Sequence, residues 1–349
     1  MAYTTIDDPT AYFQTKIYTG NGSTQDITFD GNSNLQPDFL WLKGRSLAEG
    51  HTLQNSVSGV TKHLHSQNTD AEVTDTGIVT AFNSNGFSLG DEGDVNGNTS
   101  TFVGWGWKAG TSFTNDASAT GIGTIDSTGS VSDASGFSIV SYTGTGSAGT
   151  IKHGLSAAPN FMIVKNRDAA RSWNVYFGDP TDYIYLNDTA AAADYNEIWN
   201  DTAPTTSVFS VGTDNGVNQS GEKYIAYIFA EKKGYSKFGS YTGNGNADGP
   251  MIFTGFSPSF VMTKNTETAS QWTMWDNKRS AFNLTDKVLY ANGSNAEATA
   301  TTESVDFTAQ GFKIRGSNSG INTSGEKYIY MSFASSPFTT STGIPTTAR

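Results

Sequence analysis

The hydrophobic and polar pattern of the chain is organised around one stretch, Ser220-Gly221-Glu222-Lys223-Tyr224-Ile225-Ala226-Tyr227-Ile228-Phe229-Ala230. It returns almost intact as Ser324-Gly325-Glu326-Lys327-Tyr328-Ile329-Tyr330-Met331-Ser332-Phe333-Ala334. A Ser-Gly turn and a charged pair lead into seven residues rich in aromatic and β-branched side chains, which predicts a turn feeding a strand. A looser third copy is Phe102-Val103-Gly104-Trp105-Gly106-Trp107-Lys108-Ala109.

Other signatures recur in the same order. Tyr18-Thr19-Gly20-Asn21-Gly22 is matched by Tyr142-Thr143-Gly144-Thr145-Gly146 and by Tyr241-Thr242-Gly243-Asn244-Gly245, each a strand running into a Gly-rich turn. The helix and third glycine of a dinucleotide fingerprint do not follow. Pro37-Asp38-Phe39-Leu40-Trp41-Leu42-Lys43 has counterparts in Pro159 to Lys165 and Pro258 to Lys264, with Pro, Phe and Lys at the same offsets. Proline suits the first residue of a strand. Apolar residues on both faces of the first two copies predict a central strand covered on both sides. The closing lysine reads as the solvated end of the strand, or as a contact for an anion. Fourteen residues after each proline stand His51, Trp173 and Trp272. Long polar stretches follow (51–81, 178–207 and 276–306). After these, Val95, Val217 and Ile321 each precede an asparagine and lie seven residues before Phe102, Tyr224 and Tyr328. A shared spacing of this kind marks an internal repeat.

This pattern predicts an all-β chain of three tandem antiparallel β-sandwich modules. The expected boundaries are an N-terminal arm at 1–13, modules at 14–110, 136–233 and 234–338, a Gly/Ser/Thr linker or hairpin at 111–135, and a C-terminal arm at 339–349.

Composition sharpens the picture. Glycine (38 residues) and aromatics (12%) are abundant while apolar residues total only 36%, which suits short strands and polar loops. A net charge of −12 argues against a nucleic-acid partner. The absence of cysteine removes disulfides and thiolate chemistry. No window is long and apolar enough for membrane insertion, and the start of the chain does not resemble an export signal.

Candidate chemistry is sparse. Asp91-Glu92-Gly93-Asp94 gathers oxygen ligands without the closing glutamate of a calcium loop, and reads as an acidic turn. Lys62-His63-Leu64-His65 places two histidines on one strand face with no third ligand nearby. No nucleophile elbow and no recurring acid–base pair is present, so no catalytic residue, metal or cofactor is expected. The strands around Trp173, Tyr176, Trp272 and Trp275 suit either core packing or a sugar platform, and these four are the candidate ligand contacts.

Asp8-Pro9-Thr10-Ala11-Tyr12-Phe13, Gly136 to Gly144, His153-Gly154-Leu155 to Pro159, Gly221 to Tyr224 and Phe102 to Trp107 together resemble uncharacterised repeat proteins from tailed phages of marine bacteria. The resemblance implies a virion structural protein, tail-fibre-like or on the capsid surface, with modules of jelly-roll or lectin-like type, and the expected role is a fibre-like or adhesive surface component. Its implied partners are other virion proteins and a host surface glycan or receptor, with assembly in many copies or as a homo-oligomer. A decoration protein without a ligand and a glycan-processing enzyme are the alternatives.

Overall fold

The computed structural model describes residues 2–346. Strand occupies 42% of the chain and helix 8%, and every named strand pair is antiparallel, so the protein is all-β. The repeated closing stretches are strands, Lys223–Phe229 and Lys327–Pro337, and the looser copy is Thr101–Trp107.

Three large sheets carry the repeat. The first has the order Phe13–Thr19, Thr101–Trp107, Phe39–Gly44, His51–Asn55. The second contains the same sequence of partners: Phe137–Thr143, Lys223–Phe229, Phe161–Asn166, Asn174–Tyr176, Asp182–Tyr185. The third runs Ser236–Thr242, Lys327–Pro337, Phe256–Asn265, Thr273–Asp276, Lys287–Tyr290. The segment expected as linker or hairpin forms two strands, Thr111–Asn115 and Ser127–Ser132, which extend the second sheet beside Phe137–Thr143.

Strand alternation explains how each large sheet buries both faces. In Phe161–Asn166, Phe161 and Ile163 enter one apolar cluster while Met162 and Val164 enter another. The first cluster is shared: Phe39, Trp41 and Trp105 of the first sheet meet Phe161, Ile163 and Tyr227 of the second and Phe260, Met262 and Phe333 of the third. The rings of Phe39 and Tyr227 are 4.2 Å apart, those of Phe13 and Phe333 5.1 Å, and those of Phe161 and Phe238 5.9 Å. The opposite faces are covered separately by small sheets: Gln25–Thr28 with Gly86–Leu89 and Val79–Asn83, Gly149–Lys152 with Val208–Val211, and Met251–Phe253 with Gly311–Ile314 and Val305–Thr308. The Pro-x-Phe strands are therefore interior and covered on both sides, as the composition of the first two copies predicts and the third shares.

The looser first copy has a steric cause. A Cβ on Gly104 would lie 2.8 Å from Leu42 Cδ2, and one on Gly106 would lie 2.6 Å from Phe29 Cζ. Glycine at these positions lets the Leu42 side chain of the same sheet and the Phe29 ring pack against the strand without having to shift.

Registered aromatic pairs hold the first two strands of each large sheet together. Tyr142 stacks on Tyr224 at 5.1 Å, Tyr241 on Tyr328 at 5.0 Å, and Tyr18 on Phe102 at 5.3 Å. Such cross-strand pairs contribute about 0.5–1.5 kcal/mol beyond their buried area. The tyrosine hydroxyls of Tyr18, Tyr142 and Tyr241 donate to the carbonyls of Val95, Val217 and Ile321. Asn96, Asn218 and Asn322, the next residues, are fully buried and clamp the Gly-rich turns. Asn218 donates to Ser147 O and Gly212 O at 2.7 Å and accepts from Thr145 N at 2.8 Å.

Among the described residues no helix is long and apolar enough to cross a membrane.

Candidate functional site

The recurring polar residues converge on the seams where one large sheet meets the next. Trp173 Nε1 of the second sheet donates to His65 O at 2.9 Å, in the arm that follows the first sheet. Trp272 Nε1 of the third donates to Tyr185 O of the second, also at 2.9 Å. At the remaining seam the equivalent residue is His51, whose Nε2 meets Tyr290 O at 2.9 Å while Trp41 Nε1 donates to its Nδ1 at 2.7 Å. Nδ1 is thus an acceptor, and the Nε2 proton bridges the seam. The imidazole does the work of the missing indole, and its pKa is held well below the ordinary value by burial and by the Lys43 charge.

The three closing lysines belong to the same seams. Lys43, Lys165 and Lys264 are 0% exposed, not solvated. Each ammonium donates to the carbonyl of its own next residue (Gly44, Asn166, Asn265) at 2.7–2.8 Å. Each also reaches a carbonyl across the seam: Ser294, Thr69 and Thr189, at 3.3, 3.2 and 3.1 Å. Backbone carbonyls compensate the loss of water without a carboxylate in contact. Burial pushes each amine down to about 8. The solvated-end expectation fails because the arm of the neighbouring sheet covers the position.

Two seams add a bidentate ion pair. Arg167 binds Glu72 through Nε and Nη2, both at 2.8 Å, and Arg45 binds Glu297 at 2.9 and 2.8 Å. The paired backbones also meet, Glu72 N donating to Arg167 O and Glu297 N to Arg45 O at 2.8 Å. Among the described residues the second–third seam has no such ion pair and is joined by backbone bonds, Ala192 N to Thr266 O and Ser270 N to Thr189 O, both at 2.9 Å.

The four candidate ligand contacts are all buried. Trp173 and Trp272 are the seam donors just described. Trp275 lies in the third sheet's own cluster and donates to Glu303 O at 2.8 Å. Tyr176 packs against Trp199 at 5.9 Å in the second sheet's cluster. All four rings are packed inside the apolar clusters of the fold. Parts of the long polar stretches serve as seam arms, with Leu64, Ser66, Leu186 and Ala291 buried there.

The acidic turn is a local cap, with the Glu92 carboxylate accepting from Gly93 N at 2.9 Å. His63 and His65 lie edge to face at 4.9 Å, and His65 Nδ1 meets His51 O at 2.8 Å. Among the described residues no three His, Asp or Glu side chains gather as metal ligands. A polar depression of about 450 Å³ lies where the added hairpin meets the second sheet, lined by Asn115, Asp116, Asp126, Ser141, Arg167 and Lys223.

A family model described as a domain of unknown function (DUF7483) matches residues 8–337. No curated protein and no solved structure matches the chain.

Proposed function

The chain belongs to the DUF7483 family, and we propose that it is a non-catalytic structural protein of a phage virion surface, built as three tandem antiparallel β-sandwich modules at 14–110, 136–233 and 234–338. The observation that carries the architectural part is the use of the repeat's polar residues. Lysine and indole or imidazole are spent at all three seams on holding one sheet to the next, and arginine–glutamate pairs reinforce two of them. The repeated strand order and the separate apolar cluster behind each large sheet support the modular reading. Placement on a virion rests on the resemblance carried by the motifs above, with other virion proteins as partners in a multi-copy assembly.

Burial of Trp173, Tyr176, Trp272 and Trp275 favours decoration of a capsid or tail over lectin-like adhesion. Adhesion to a host glycan is the second reading, and the polar depression around Asp116, Asp126, Arg167 and Lys223 is the surface that favours it. Gold-labelled antibody on purified particles, followed by cryo-microscopy, tests the proposal. A regular surface array is expected for decoration and a distal projection for adhesion. Absence of the chain from particles overturns the virion assignment, and turnover of host polysaccharide by the purified chain overturns the non-catalytic one.

A further inference from the structure

We propose that the seam between the first and third large sheets is a proton-operated joint, released when His51 takes up a second proton. The three seams share one bond, a ring N–H donated to a carbonyl of the neighbouring sheet's arm. Two of them use an indole, which does not titrate. Only the first–third seam uses an imidazole. Its Nδ1 already accepts from Trp41 Nε1 at 2.7 Å. A proton on Nδ1 sets two donors against each other, so Trp41 loses its acceptor and a buried cation is left beside other cations.

The charged surroundings give that cation no relief. Lys43 lies opposite His51 in the strand register. Arg279 approaches from the third sheet with its charge already committed to Asp276 and, at 3.5 Å, to Glu297. Glu297 also pairs with Arg45, and Glu49 lies near Lys43. His65 meets the backbone carbonyl of His51 from the arm side. Protonation therefore costs more in the closed seam than in an open one, and acid favours opening. The released part is the outer end, where Tyr290, Ala291, Ser294 and Glu297 dock. The contacts of Phe13 with Phe260 and Phe333 hold the inner end.

Hydrogen exchange of the full chain, read by mass spectrometry at pH 7.5 and pH 5 and corrected for intrinsic rates, tests the joint. Residues 50–55 and 287–297 are expected to exchange at least about tenfold faster at the lower pH, a proton-linked factor of one pH unit or more. The equivalent segments around Trp173 and Trp272 are expected to stay protected. His51→Gln, which can still accept from Trp41 and donate to Tyr290, is expected to abolish the difference, whereas His153→Asn, remote from this seam, leaves it in place. Equal acid response at all three seams, or an unchanged response in His51→Gln, overturns the proposal. Should His51→Gln fail to fold, ring NMR of labelled histidine in the unaltered chain decides: opening with His51 still neutral overturns it, and coincident midpoints support it.

Discussion

The indole of Trp173 and the backbone carbonyl of His65 are joined across 2.9 Å, although 108 residues separate them in the chain. Trp272 and Tyr185 repeat the relationship at the same distance. Trp272→Phe keeps most of the packing and strands the Tyr185 carbonyl, so it is expected to cost about 1–3 kcal/mol. Trp272→Ala adds a cavity and is expected to cost about 3–5 kcal/mol. Urea denaturation with an unchanged m-value measures both.

The Arg167–Glu72 pair is mostly shielded, with side chains 15% and 10% exposed. Removing one member leaves the other uncompensated, so Glu72→Gln is expected to lose about 1–3 kcal/mol. The double replacement Arg167→Met with Glu72→Leu is expected to recover most of that loss, because neither charge then has to be desolvated. A double-mutant cycle in urea checks the difference.

Alkaline pH works on the buried lysines. Lys43, Lys165 and Lys264 titrate at about 8 when folded and near 10.4 when unfolded. Between those values the unfolded chain holds more protons, so their contribution makes stability rise with pH. The tyrosines act oppositely. Tyr224 is pushed up to about 12 and Tyr227 is also raised, chiefly by burial, so above about pH 10 the unfolded chain ionises first and stability falls. The melting temperature is expected to climb from pH 8, peak near pH 10 and then drop. Lys264→Met is expected to shrink the climb by about a third if the three sites are independent. Calorimetry across that range is the measurement.

Asn218, itself fully buried, bonds two carbonyls and one amide, of which the Gly212 carbonyl is reached in a buried contact. Asn218→Ala is expected to cost more than about 2 kcal/mol, and to open residues 143–148 to proteolysis before the rest of the second sheet. Thermal denaturation and limited proteolysis report the two effects separately.

Much of the strand framework was legible in the sequence. The copies around Tyr224 and Tyr328 and the Pro-x-Phe strands carry period-two alternation and turn residues, which are side-chain signals. The seams were not legible, for a physical reason. Lys165, Trp173 and His51 all donate to backbone carbonyls, of Thr69, His65 and Tyr290, and a carbonyl has no residue identity to recur. A lysine closing a strand looks the same in sequence whether water or a neighbouring arm covers it. The fixed offset of that lysine in all three copies was the one available signal. His51 stood at the right spacing, but as an exception to the Trp pattern; its equivalence needs both ring nitrogens placed. Trp173, Tyr176, Trp272 and Trp275 left core and platform open because aromatic strands serve both, and only burial separates them.

The shared apolar cluster has a consequence for dilution. Were the three sheets separate polypeptides, their association would be a third-order equilibrium and the assembly would dissolve as the concentration fell. Carried on one thread, each face meets its mate at an effective concentration set by the tether. Closure is then unimolecular, and the unfolding midpoint should hold constant from nanomolar to micromolar protein.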